Sequence, residues 1–245
     1  MSCLLLCVPI MVFDRVFPGF PGCPLTTSRI TMSILTIASS KGGPGKTTIA
    51  MLIALSLAHR KTPCFLIDAD PTKALSQWAA DVCETPLPCV YEADENKLLD
   101  LADEHSETAV VIIDTAGFNN MAATVSMTIA DHVLIPVSVG AADVDQADYT
   151  AKQINTLSRS TRRQIDARLL LNKQSRPRVA AHVVEEVGKL GVQPLAATLG
   201  QRAAYPEISF TGVLPASGTA RDEINTLIAE LDSLKWLDVQ AKENT

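Results

Sequence analysis

Aromatic side chains are scarce: six Phe, three Tyr and two Trp among 245 residues. A core for a chain of that length must therefore be mostly aliphatic, and the 47% hydrophobic content is enough to build one. The same scarcity argues against a stacking surface for single-stranded nucleic acid. Positive charge is not in excess either. The formal net charge of −6 excludes a uniformly basic coat, though not a local basic patch. Six cysteines (Cys3, Cys7, Cys23, Cys64, Cys83, Cys89) include no C-x-x-C pair and match no zinc or iron–sulfur spacing, so reduced thiols in a cytosolic protein are expected. The histidines (His59, His105, His132, His182) do not cluster, and no catalytic role is expected for them. The apolar opening "MSCLLLCVPIMVF" is too short to span a bilayer and lacks the cationic region and cleavage site of a signal peptide.

Next comes "PGFPGCPLTTSRIT", rich in Pro and Gly and without periodicity, which reads as irregular chain. Residues 1–31 are expected to be an extension outside the folded domain, and could be upstream sequence translated ahead of a true start at Met32. Residues 32–245 are expected to form one domain. From Ile34 onward, short apolar runs alternate with amphipathic stretches. The runs are "ILTIA" (34–38), "CFLID" (64–68), "AVVIID" (109–114), "HVLIPV" (132–137), "ARLLLN" (167–172) and a weaker "PLAAT" (194–198). Their lack of alternation suits strands buried on both faces. Helices are expected at 46–60, 72–82, 95–104, 119–130, 143–157, 178–190 and 219–237. Alternation of this kind specifies a doubly wound α/β fold, a mostly parallel sheet with helices on both faces.

Ligands in such folds sit at the carboxyl ends of the strands. There the first strand is followed by "SSKGGPGKTT" (39–48), which ends as a phosphate-binding loop does, in Gly45, Lys46 and Thr47, but has Ser40 at the first-glycine position and an additional Lys41. Backbone N–H groups from Gly42 to Thr47 are expected to cradle phosphates, with Lys46 on the β- and γ-phosphates and the Thr47 hydroxyl on Mg²⁺. A second station, "LIDADPT", puts Asp68 and Asp70 beside the loop; equally, Asp70 or Thr72 could cap the next helix. A third, "VVIIDTAG", ends a hydrophobic strand in Asp114, a Walker B arrangement suited to Mg²⁺, with Gly117 allowing close approach to the γ-phosphate.

Together "KGGPGKTT", "DADPT" and "IIDTAG" resemble the ParA/MinD group of deviant Walker A ATPases, most nearly its small ParA-type branch, from Met32 to about Leu237. The resemblance implies an ATP-dependent homodimer in which Lys41 reaches the partner's ATP, Asp70 orients the attacking water and Asp68 supports the Mg²⁺ shell. It makes Lys41, Lys46 and Asp70 the catalytic candidates and Thr47, Asp68 and Asp114 the metal candidates. ATP contacts are expected from Lys41, Gly42, Gly43, Pro44, Gly45, Lys46, Thr47 and Thr48. It also suggests Asn172 for the adenine edge, with a strand-end turn residue as the alternative, and Tyr205 and Pro206 for packing on the ring. Two positions depart from the family pattern: Thr72 stands for a usual Gln and Ala116 for a usual Pro.

Basic residues gather between Lys152 and Arg178, and Arg159, Arg162, Arg163, Arg176 and Arg178 are candidates for phosphates of non-specific DNA; scattered surface arginines are the alternative. The expected function is partition of plasmid or chromosomal DNA, with a ParB-like partner stimulating hydrolysis and a cytoplasmic, nucleoid-associated location. A relative that positions a transfer complex or protein cargo is the main alternative. A MinD-like membrane cycle fits poorly, because the C-terminal helix lacks a basic face.

Overall fold

Apolar runs without alternation become strands with no exposed face. Every residue of β2 (Ile34–Ile37), β3 (Cys64–Ala69), β5 (Val110–Thr115) and β6 (His132–Val137) is buried. The computed structural model describes residues 29–117, 120–175, 186 and 191–242. Its other elements are β1 (Arg29–Met32), α1 (Lys46–His59), α2 (Ala74–Asp81), β4 (Cys89–Tyr91), α3 (Glu95–Ser106), α4 (Met121–Ile129), α5 (Ala141–Thr161), β7 (Asp166–Gln174), β8 (Gln193–Gly200), α6 (Ala204–Thr211), α7 (Thr219–Ser233) and β9 (Val239–Lys242).

Seven strands form one parallel sheet in the order β4-β3-β5-β2-β6-β7-β8. The fold is the expected doubly wound α/β. From β2 the chain winds to β3 on one side, and from β5 it crosses back to β6 on the other. The crevice this reversal opens lies at the carboxyl end of β2, where the glycine-rich loop leaves the sheet. Helices α1, α2, α6 and α7 pack one face through Leu52, Trp78, Ile208 and Leu227. On the other face, α5 packs through Ala151 and Ile154, and α3 and α4 through Leu98 and Ala122. Helix α1 is apolar on nearly every side because it lies beneath α6 and α7 as well as on the sheet.

Several boundaries differ from the sequence expectations. Helix α2 starts at Ala74, with Lys73 in left-handed geometry as its N-cap (φ 57°), so neither Asp70 nor Thr72 caps it. Helix α5 runs to Thr161, and α7 stops at Ser233, where a left-handed Lys235 turns the chain. Trp236 then packs into the core, stacked on His132 with its Nε1 donating to Asp166, consistent with a packing role. Strand β1 pairs antiparallel with β9, starting at Arg29 rather than Met32. Earlier residues of the expected extension, and the helix expected at 178–190 apart from Glu186, lie outside the described residues.

Gly212 ends α6 at φ 64°, against the end of α2: a Cβ there would stand 2.4 Å from the Val82 carbonyl oxygen and 2.7 Å from Cys83 Cα. Strain and collision should make Gly212→Ala destabilising by about 2 kcal/mol or more. Urea unfolding should show a lower midpoint with an unchanged slope.

Candidate functional site

The glycine-rich loop is fixed by its own glycines and by side-chain donors to its carbonyls. Gly43 and Gly45 both adopt φ 96°, a geometry that favours glycine. A Cβ on Gly45 would lie 2.5 Å from Asn172 Nδ2. Three loop carbonyls accept from side chains: Lys41 O from Lys46 Nζ (3.3 Å), Gly43 O from Lys173 Nζ (2.5 Å) and Pro44 O from Asn172 Nδ2 (2.7 Å). In a trans peptide the N–H points opposite the carbonyl. Holding the Pro44 carbonyl from the β7 side therefore aims the Gly45 N–H the other way, towards the start of α1, a position suited to an anion. Pro44 has no N–H, so the run of donors expected from Gly42 to Thr47 has a gap there.

Beneath the loop lies a buried carboxylate. Parallel register sets Asp114 beside Ile37 on one side and Asp68 on the other. Asp114 Oδ2 accepts from Thr47 Oγ1 at 2.6 Å, whereas its Oδ1 is buried without a hydrogen-bond partner. Burial raises its carboxyl to about 7, with Asp68 and Asp70 adding to the rise and Thr47 and Lys46 opposing it. Burial likewise lowers the Lys46 ammonium, against the pull of Asp114 and Asp70. A desolvated carboxylate oxygen beside a hydroxyl fits a hard cation such as Mg²⁺. Among the described residues no group of three His, Cys, Asp or Glu could hold a metal by itself, so further oxygens would have to come from phosphate and water.

Asp68 is also fully buried, but its oxygens accept from the backbone N–H of Asp70 (3.1 Å) and Ser76 (2.8 Å). It thereby shapes the turn that carries Asp70, whose own Oδ1 accepts from Thr72 N (2.9 Å). Gly117 closes on the loop: a Cβ there would be 3.4 Å from Gly42 N.

The first half of the loop leans on α5. Ser40 Oγ lies 2.6 Å from Gln146 Oε1 and 3.0 Å from the Gln146 carbonyl oxygen, with one proton for the two acceptors, while Ser40 N donates to Thr150 Oγ1. Lys41, with its side chain 54% exposed, pairs with Asp143 at 3.2 Å. Thr48, Asn172, Lys173, Arg202, Tyr205 and Pro206 help to line a cavity of about 390 Å³ beside the loop, in the size range of ligand pockets. Asn172 is engaged within the chain, its Nδ2 on Pro44 and its Oδ1 accepting from Lys173 N. The Tyr205 hydroxyl donates to Glu223, which also holds Arg202 and Gly200 N.

Sequence reasoning gave no role at the loop to Asp143, Gln146, Thr150 or Lys173; the sheet order brings them there.

The basic residues divide between two ends of the sheet. Arg159 and Arg162 are exposed at the far end of α5, about 30 Å along the helix from Asp143. Arg163 pairs with Asp131 and donates to the Thr128 carbonyl, and Arg168 pairs with Asp166. Lys173 stands at the loop end, and Arg176 and Arg178 lie outside the described residues.

In the metal-free chain the raised Asp114 carboxyl makes the folded state bind a proton more tightly than the unfolded one, so this group's effect on stability becomes more unfavourable as pH rises from its ordinary 3.8 towards about 7. Asp114→Asn should remove that slope. At pH 8, without metal or nucleotide, it should be about 2–4 kcal/mol more stable than wild type in urea melts, the gap shrinking as pH falls.

A family profile of VirC1 protein matches residues 32–229. "Maintenance of carboxysome distribution protein A" of Halothiobacillus neapolitanus is 32% identical over 208 residues, covering 80% of this chain and 95% of that protein. "Protein ParA" of Rhizobium radiobacter is 28% identical over 181 residues, covering 71% and 81% respectively. Among solved structures, Cyanothece McdA in complex with ATP superposes with a TM-score of 0.66 over 88% of this chain and 99% of its own, at 16% identity, a likeness of fold. The chain therefore belongs to the VirC1 family, within the ParA/MinD group of deviant Walker A ATPases.

Proposed function

We propose that this chain is a positioning ATPase that binds ATP with Mg²⁺, dimerises in the ATP-bound form, holds DNA non-specifically and releases it after hydrolysis, so partitioning plasmid or chromosomal DNA. The observation that carries this reading is Lys41: an exposed cation at the lip of a phosphate cradle, tethered by one pair with Asp143. Such a surface pair contributes about 1 kcal/mol or less, so Lys41 can exchange Asp143 for a phosphate at small cost. Reaching across a dimer, it would neutralise charge on the partner's triphosphate as an arginine finger does. Lys46 then serves the phosphates of its own subunit, and Asp70 orients the attacking water from the turn that Asp68 holds. Mg²⁺, held by Thr47 and through Asp114, would supply charge neutralisation at the β- and γ-phosphates. Asn172, Tyr205 and Pro206 would flank the base, the first through its hold on the loop.

DNA would meet Arg159 and Arg162, with Arg163 beside them. Hydrolysis would be stimulated by a ParB-like DNA-binding partner, and the ATP form would sit on the nucleoid in the cytoplasm. No membrane step is proposed. Among the described residues no helix is long and apolar enough to cross a membrane, and α7 turns Leu227 and Leu231 inward while carrying Asp222, Glu223, Glu230 and Asp232 against Arg221. A second reading keeps the same cycle with a protein cargo. It is favoured by the 32% identity that extends over 95% of the carboxysome distribution protein.

Binding of random-sequence duplex DNA should require ATP and weaken steeply with salt. Replacing both Arg159 and Arg162 by Ala should lower affinity about tenfold near 0.1 M salt and reduce the salt slope by about 2. Fluorescence anisotropy would measure this; equal binding in ADP, or an unchanged slope in the double variant, would contradict the DNA reading.

A further inference from the structure

The gap at Pro44 has a counterpart on the other side of the same peptide. Elsewhere in an anion-binding loop, a peptide plane is held from two sides: its N–H by the bound anion and its carbonyl by the protein. The Gly43–Pro44 peptide has no N–H for an anion to hold, and Gly43 (φ 96°) is the most permissive residue type on its other flank. Left to itself, this plane could swing the Gly43 carbonyl, a negative dipole end, into the cradle. Its orientation must be fixed from the carbonyl side. Lys173 Nζ lies 2.5 Å from that oxygen.

Lys173 reaches it by an unusual route. It is the next-to-last residue of β7 and adopts φ 56°, left-handed backbone that a lysine enters only at a cost of about 1–2 kcal/mol. Its N–H is taken by the Asn172 side chain, whose amide holds the neighbouring carbonyl of Pro44. Consecutive residues at the end of β7 thus grip consecutive carbonyls of the loop, and the charged one grips the peptide that lacks a donor. An ammonium there also adds a full positive charge close to the cradle, on the carbonyl side of the peptide.

We infer that Lys173 is a positioning residue for nucleotide phosphates, fixing from its carbonyl side the loop peptide that Pro44 leaves without an N–H for the anion to hold. This rests on the nucleotide-site reading above. Lys173 orients the Gly43–Pro44 peptide and thereby sets affinity for the diphosphate group. If so, its contribution depends on residue 44: a residue with an N–H there lets the bound phosphate hold the plane itself, and the lysine becomes nearly dispensable.

The test is a double-mutant cycle on the full chain, reading the Kd of a fluorescent N-methylanthraniloyl-ADP with Mg²⁺. Lys173→Met keeps the stem and removes the ammonium; Lys173→Gly removes the side chain and suits the left-handed backbone, so it remains usable should the methionine variant fold poorly. In the Pro44 chain either change should weaken binding about tenfold. In the Pro44→Ala background the same change should cost less than about threefold. Equal losses in the two backgrounds, or no loss in the Pro44 chain, would overturn the assignment. A wild-type chain that bound neither ADP nor ATP would overturn the nucleotide reading and this inference together, whereas wild-type binding with an uncoupled Lys173 overturns this inference alone.

Discussion

A loop of peptide groups attracts an anion only while its carbonyls face away from it, and the rest of the site depends on that orientation. For the Gly43 and Pro44 carbonyls the orientation is set by Lys173 and Asn172, both from the end of β7. Only a sheet in which β7 follows β6 beside β2 brings those donors to one loop. Fold and site are therefore linked through hydrogen bonds rather than through general packing.

The same loop faces two ways. Its second half meets the buried Asp114 through Thr47, a contact that couples the cradle to the floor of the crevice. Its first half rests on α5, with Ser40 on Gln146 and Thr150 and Lys41 on Asp143. Buried charge below favours a stable position, whereas a solvated ion pair above is readily exchanged. In the proposed dimer this difference would keep Lys46 with its own subunit and leave Lys41 available for a neighbour. Helix α5, which carries Asp143 near its start, bears Arg159 near its end, so the Lys41 pair and the proposed DNA contacts share one element.

Much of the architecture was legible because buried parallel strands are written as uninterrupted apolar runs, as in "VVIID" and "HVLIPV". Strand β4 was not, since three half-exposed residues carry no period. Helix α6 escaped notice because Pro206 lies in its first turn, where a missing N–H costs nothing, and the stretch is short. In the site, Lys46, Thr47 and Asp114 follow from local spacing, but Asp143 and Lys173 meet the loop across more than a hundred residues, a pairing that no local pattern encodes. The apparent basic run between Lys152 and Arg178 is a run in sequence only: β7 carries the chain from one end of the sheet to the other, separating Arg162 from Lys173. Asp68, expected to support the metal shell, accepts from the backbone N–H groups of Asp70 and Ser76, contacts that composition and motif do not encode.

Action of Lys41 across a dimer interface is tested most directly by measuring mass with ATP and Mg²⁺, by light scattering, for wild type, Lys41→Ala and Asp70→Ala. Wild type should form dimers that decay as ATP is consumed, and Asp70→Ala should accumulate them. Lys41→Ala should bind nucleotide with near wild-type affinity yet remain monomeric. Dimerisation and hydrolysis by Lys41→Ala at wild-type levels would contradict the claim.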